Sequence, residues 1–173
     1  MAPGASVLDV ACGRGRHLRW FAARGHPVIG IDRDEAALAA VGNVGQLLQA
    51  DLEAHPWPFP GRRFGAVVVT NYLWRPLLPT LFASVAADGV LLYETFADGN
   101  AALGRPRNPD FLLQNGELLQ HCRAPHWQVV AYEHGALADP PRIVQRIAAL
   151  RRTGQGPGTP LRCQLAPDPG AHF

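Results

Sequence analysis

Lysine is absent from this 173-residue chain, whose 16 basic residues are all arginine. That excludes a phosphate-binding P-loop, which sets a lysine on the phosphates, and any chemistry built on a lysine Schiff base. Cysteine is scarce. Cys12, Cys122 and Cys163 are odd in number, far apart and free of any CxxC pair, so neither a disulfide framework nor a zinc-ligand spacing is present. Charge is low as well: 17% of residues are charged and the formal net charge is +2. Such a balance offers no strong field to nucleic acid or to an anionic membrane. No apolar run approaches the roughly 18 residues that a membrane helix needs. The opening MAPGASVLDVACG has no charged n-region and no apolar h-region, so no signal peptide is read and a reducing cytoplasmic setting is expected.

What is present is a globular composition, 47% hydrophobic. One domain of this size buries about two-thirds of its unfolded surface and needs no staples. Short apolar runs alternate with segments of helical period. Residues 6–10, 27–32, 47–51, 64–70, 90–95 and 127–132 read as strands, with Phe64 to Thr70 (FGAVVVT) apolar throughout, as a central parallel strand should be. Helices are expected from Leu18 to a stop at Gly25, from Glu35 to Val41, along the stripe Leu77, Leu78, Leu81, Phe82 and Val85 closed by Asp88-Gly89, and from an Asn108 cap with Pro109 at the first position. The segment 142–150 fits either a strand or a helix. The alternation predicts an α/β sandwich, helices on both faces of a mainly parallel sheet, closed by an antiparallel hairpin at one edge. Residues 1–152 are read as one domain and 153–173, punctuated by Gly and Pro, as an irregular tail.

In such sheets ligands bind at the carboxyl ends of the strands. The first strand runs into Asp9-Val10-Ala11-Cys12-Gly13-Arg14-Gly15-Arg16-His17. Its glycines let the backbone turn tightly and approach a ligand, and the helix start near Arg16 and His17 offers free amides to a carboxylate or phosphate. A dinucleotide fingerprint would need a third Gly at position 18, which is Leu18. Asp9 would repel a pyrophosphate but suits a ligand with an ammonium group. Asp32 ends the second strand, where ribose hydroxyls are bound in such folds. The ligand expected is a nucleoside that carries an amino-acid head.

VLDVACGRGRH, GIDRD, ADLE and VVVTNYL together resemble the class I S-adenosylmethionine (SAM) dependent methyltransferases. The stretch YETFADGNAALGRPRNPDFLLQNGELL is similar to a bacterial branch near the tellurite-resistance methyltransferases. The resemblance spans roughly Ser6 to Arg151. It implies a three-layer Rossmann-like sandwich with a seven-stranded, mainly parallel sheet in the order 3-2-1-4-5-7-6 and one antiparallel strand near the edge. It implies SAM as cofactor and S-adenosylhomocysteine (SAH) as product. Asp9 would orient the methionine amino group, and Ala11, Cys12, Gly13 and Gly15 would run their backbone along methionine and ribose. Asp32 would take the ribose hydroxyls, Arg33 would pack beside the adenine, Asp51 and Leu52 would meet its edge, and Asn71 would lie near the methyl donor. Ala11 replaces the usual first glycine, which is tolerated at negative φ.

Five residues precede the first strand, where the resemblance implies a helical lid. An alternative is therefore a non-catalytic SAM-binding module, or one completed by a partner. Tyr72, Arg75 and Glu94 are the candidates for contact with the reacting groups, since Tyr72 and Arg75 follow the central strand and Glu94 sits in an apolar run where a charge is costly. Arg105, Arg107 and Asn108 read as an anion-binding rim or a solvated loop. His17 and Cys12 read as structural, and His121 and His126 have no partner spaced for a metal, so none is expected. The acceptor expected is a small molecule, neither nucleic acid nor membrane, and a homodimer is left open.

Overall fold

A computed structural model describes residues 1–153 of the chain. The expected tail, and Cys163 within it, lie outside the described residues apart from Thr153. Seven strands form one sheet in the order β3-β2-β1-β4-β5-β7-β6. They are β1 Val7–Val10, β2 Val28–Asp32, β3 Gln46–Gln49, β4 Phe64–Thr70, β5 Val85–Phe96, β6 Trp127–Ala138 and β7 Pro141–Arg151. β1 to β5 pair in parallel, and β7 runs antiparallel to both β5 and β6. The central strands β1 and β4 carry almost continuous apolar side chains because helices cover both of their faces.

On one face α1 (Arg16–Ala22) and α2 (Glu35–Ala39) bring Leu18, Phe21 and Leu38 onto Val7, Val28, Ala66 and Val68. On the other, α3 (Leu78–Ala83) and α4 (Glu117–His121) bring Leu78, Leu81, Phe82 and Leu118 onto Val67, Val69, Leu91 and Tyr93. Gly30 makes the first of these contacts close. A Cβ there would lie 2.6 Å from Leu18 Cδ1 and 2.8 Å from Cys12 Sγ, so α1 and the loop after β1 rest directly on the β2 backbone.

Several elements differ from the sequence reading for identifiable reasons. α3 stops at Ala83, where Ser84 Oγ donates to Thr80 O at 2.7 Å. β5 then starts at Val85 rather than at residue 90, because Val85 pairs with Phe64 and the register shifts before Ala66 meets Val90. Asp88-Gly89 thus lies inside the strand and closes no helix. Asn108 does cap a helical turn, its carboxamide oxygen accepting from the Asp110 N–H at 3.0 Å. That turn is a single 3-10 turn over Pro109–Phe111, since Leu112 leaves helical geometry and lets Leu112 and Leu113 enter the core. The segment 142–150 is strand, its alternate residues Gln145, Ile147 and Ala149 buried against β5. β6 runs on to Ala138 because it pairs with β7 as far as Pro141.

Candidate functional site

The carboxyl ends of β1, β2 and β4 surround a cavity of about 450 Å³. Its floor is the loop after β1, lined by Ala11, Cys12, Gly13 and Arg14, with Arg16 and His17 from α1. Ile31, Asp32 and Arg33 come from the end of β2, Ala50 to Glu53 from the segment after β3, and Thr70 to Tyr72 from the end of β4. Parallel strands bring these segments together because each ends at the same side of the sheet.

Asp32 organises the loop. Its Oδ2 accepts from the Gly13 N–H at 2.7 Å and its Oδ1 from the Asp34 N–H at 2.9 Å. The Cys12 N–H donates to Ile31 O at 3.0 Å. Gly15 turns the chain into α1 with φ of +73°, and a Cβ there would lie 2.8 Å from Val41 Cγ1. Ala11 departs from the expectation of negative φ. It sits at φ +52°, the left-handed region that costs an L residue roughly 1–2 kcal/mol. Asn71 is left-handed too, at φ +55°, which asparagine tolerates better than most residues.

Of the residues expected at the site, Ala11, Cys12, Gly13, Asp32, Arg33, Asp51, Leu52, Asn71 and Tyr72 line this cavity. Gly15 shapes the turn beneath it without facing it. Asp9 is fully buried and is not part of the wall, and neither of its carboxylate oxygens accepts a hydrogen bond. Burial raises the Asp9 carboxyl pKa, against the lowering influence of His17. The nearest basic group is the His17 ring, whose Nδ1 lies 3.7 Å from Asp9 Oδ2. His17 therefore stands at the cavity with Asp9 behind it.

The side chains expected near the reacting groups part company. The Tyr72 hydroxyl is buried and unpartnered. Its pKa is raised, first by burial and then by the Glu53 and Asp51 carboxylates, so it keeps its proton at neutral pH. Glu94 lines a second cavity of about 420 Å³ that shares His17 and Thr70 with the first. There Arg146 lies between Glu133, with which it forms a close ion pair, and Glu94 at 3.6 Å. Val68, Leu92 and Ala148 supply its apolar lining.

Arg75 faces neither cavity. Its guanidinium pairs with Glu117 at 2.8 Å and donates to Asp110 O and Leu112 O, each at 2.7 Å. It ties the segment after β4 to α4. Burial pushes the Cys12 thiol up to about 12, aided by Asp9 and Asp32, so it stays a thiol. Arg105, Arg107 and Asn108 line neither cavity. No group of three His, Cys, Asp or Glu residues among the described residues is placed to hold a metal ion.

Sequence reading took His17 as structural, used Arg16 and His17 only as the site of free helix amides, and passed over Arg14, Glu53 and Thr70. The two arginines and His17 lie inside the glycine loop and its first helical turn, and Glu53 inside ADLE, so proximity to the motifs was the available signal. Nothing in the sequence shows that the pocket of β4 and the pocket of β6 and β7 meet at His17.

Residues 7–87 match the family described as Methyltransferase domain. No curated protein matches the chain. Solved structures do resemble it. A SAM-dependent methyltransferase from Mesorhizobium loti is 16% identical with a TM-score of 0.66, over 86% of this chain and 92% of that one. A TehB-like SAM-dependent methyltransferase from Corynebacterium glutamicum is 18% identical with a TM-score of 0.61, over 88% and 83%. The magnesium protoporphyrin IX methyltransferase of Synechocystis, crystallised with SAH, is 15% identical with a TM-score of 0.65, over 86% and 75%. The sheet order and the β7 reversal are those of the Rossmann-like methyltransferase fold.

Proposed function

We propose that this SAM-dependent methyltransferase hands its methyl group to a small-molecule acceptor. The observation that carries the reading is the first cavity. Asp32 stands at the tip of β2, a tight loop forms the floor, and the unpartnered Asp9 carboxylate lies behind His17 at the tip of β1. A buried carboxylate without a hydrogen bond is costly and calls for a cationic partner or donor. The residues present thus fit an adenosyl amino acid, with Asp32 at the ribose, Asp51 and Leu52 at the base, and the Asp9–His17 pair at the amino-acid end. Arg33 packs at the base end, and the backbone of Ala11, Cys12 and Gly13 forms the floor between.

When bound, SAM supplies an activated methyl on a sulfonium whose leaving group departs neutral. The protein's part is alignment and exclusion of water. Tyr72 and Asn71, after β4, hold the open side of the cavity, with Tyr72 as a protonated donor rather than a base. Its backbone oxygen accepts from the buried Tyr93 hydroxyl at 2.9 Å, which fixes its position on the sheet. Glu94, which lines the second cavity together with Glu133, is a carboxylate open to an incoming acceptor. The second cavity has the size of a small-molecule site, which supports a small acceptor over a macromolecule. Two buried free thiols, Cys12 and Cys122, accord with a reducing, cytoplasmic setting. No observation favours a non-catalytic module.

Titration calorimetry with SAM and SAH tests the cofactor, and release of SAH across a panel of small thiols, amines and hydroxy compounds tests the acceptor. Binding without turnover on every acceptor would overturn the small-molecule reading. Absence of binding at millimolar ligand would overturn the cofactor site.

A further inference from the structure

We infer that His17 selects the amino-acid head of the ligand by binding its α-carboxylate, and that Asp9 acts on the ligand through His17. The inference rests on the SAM site proposed above. Asp9 is 0% exposed and lines no cavity wall, so it does not reach a ligand directly. His17, 26% exposed at its side chain, has Nδ1 turned to Asp9 at 3.7 Å and lines both cavities. No described residue bonds its Nε2. With Nδ1 on the Asp9 side of the ring, Nε2 is the nitrogen offered to a ligand. A ring nitrogen that carries its proton donates to an acceptor oxygen such as that of a carboxylate.

The charge around the cavity says which oxygen. Arg14, Arg16 and His17 line its β1 side, whereas Asp32, Asp51 and Glu53 line its β2 and β3 side. A ligand with ribose hydroxyls and a carboxylate at opposite ends matches that division. The acids that face His17 from elsewhere are Asp9 on β1 and, across the second cavity, Glu94 and Glu133. Arg146 neutralises part of the latter two. Asp9 is thus the buried carboxyl beside the ring, placed as a carboxylate that orients a histidine in other sites where it never meets the ligand.

The test compares two ligands in titration calorimetry on the full chain. SAH carries the amino-acid head, and 5′-methylthioadenosine has the same adenosyl sulfide without it. Wild type binds SAH the more tightly. His17→Phe is expected to weaken SAH by about tenfold or more, the scale of a charge-assisted hydrogen bond, and to leave 5′-methylthioadenosine within about twofold. His17→Gln, which restores a donor, recovers part of the SAH affinity, and this second variant covers the case in which His17→Phe fails to fold. Asp9→Asn lowers SAH binding in wild type and has little further effect in His17→Phe, because the two act as a unit.

Equal losses for both ligands would show a merely structural histidine and overturn the inference. So would an unchanged SAH affinity in both His17 variants, or wild-type affinities that do not differ between the ligands. If wild type binds neither ligand, the SAM site itself falls and the inference with it.

Discussion

The Asp9 carboxylate is buried without a hydrogen bond, and its pKa is raised by that burial. The folded chain then holds this proton more tightly than the unfolded chain does. Stability in the absence of ligand is therefore highest at low pH as far as this group is concerned. It falls as pH rises from the unfolded carboxyl range of about 4 through the raised folded value, and levels off above it. Asp9→Asn keeps the shape and removes the charge. It is expected to flatten that part of the pH profile and to raise neutral-pH stability by about 1–3 kcal/mol, at the expense of SAH binding. Urea melts between pH 4 and 8 check both trends; a parallel profile in the variant would assign the pH dependence to another group. Ala11 poses the opposite case. At φ +52° its methyl is strained, and Ala11→Gly relieves about 1–2 kcal/mol while adding unfolded-state entropy of about 0.4–1 kcal/mol. A net gain of about 0.5–1 kcal/mol is expected in the same melts, and a loss would mean that the alanine methyl makes a contact worth more than the strain.

Helix α1 and the loop before it owe their placement to contacts with β2. Gly30→Ala would set a methyl within 2.6 Å of Leu18 Cδ1 and 2.8 Å of Cys12 Sγ. It is expected to cost about 1–3 kcal/mol as overpacking, and to weaken SAH, since the displaced loop carries Gly13 and its bond to Asp32. Arg75 belongs to this scale as well. It binds Glu117 and two carbonyls and so fastens α4 and the turn at 109–111 to the end of β4. Arg75→Met is expected to destabilise the fold by about 1–3 kcal/mol through the lost charge-assisted bonds, with SAH affinity unchanged. A selective loss of turnover in a stably folded variant would instead assign Arg75 to the chemistry. The Arg75 sequence neighbourhood, TNYLWRP, points at the crevice because Tyr72 and Asn71 are there. Three residues further on, the chain has already turned away into the 3-10 helix at Arg75–Leu77.

Across the whole molecule the sheet is unevenly covered. α1 and α2 lie over β1 to β4, and on that same face Leu92, Ala148 and Ala131 of the antiparallel half line the second cavity. Ligand bound in the first cavity joins segments after β1, β2, β3 and β4, so it should stabilise the fold globally. SAH at one hundred times its dissociation constant is expected to add about 2.7 kcal/mol, or roughly 5–10 °C in Tm for a chain of this size. A thermal melt with SAH checks this, and no shift at saturation would place the ligand on the unfolded chain equally well or nowhere.

The sequence by itself determined the parallel core, because FGAVVVT is apolar at its buried positions and VLDV at all of its own but Asp9, as in strands covered on both faces. It also pointed to the proposed ligand side of the sheet, because Asp9 and Asp32 stand near the ends of the first two strands and Gly13 and Gly15 in the turn that follows the first. Tertiary structure alone decided the rest. The conformation of 142–150 was settled by pairing with the adjoining β6 and with β5, a strand some fifty residues earlier in the chain that local periodicity does not reach. The left-handed conformation of Ala11, just past the end of β1, is likewise visible only in the folded chain. The meeting of Asp9 with His17 depends on how far α1 sits from the sheet, which is set by the missing side chain of Gly30 on a different strand.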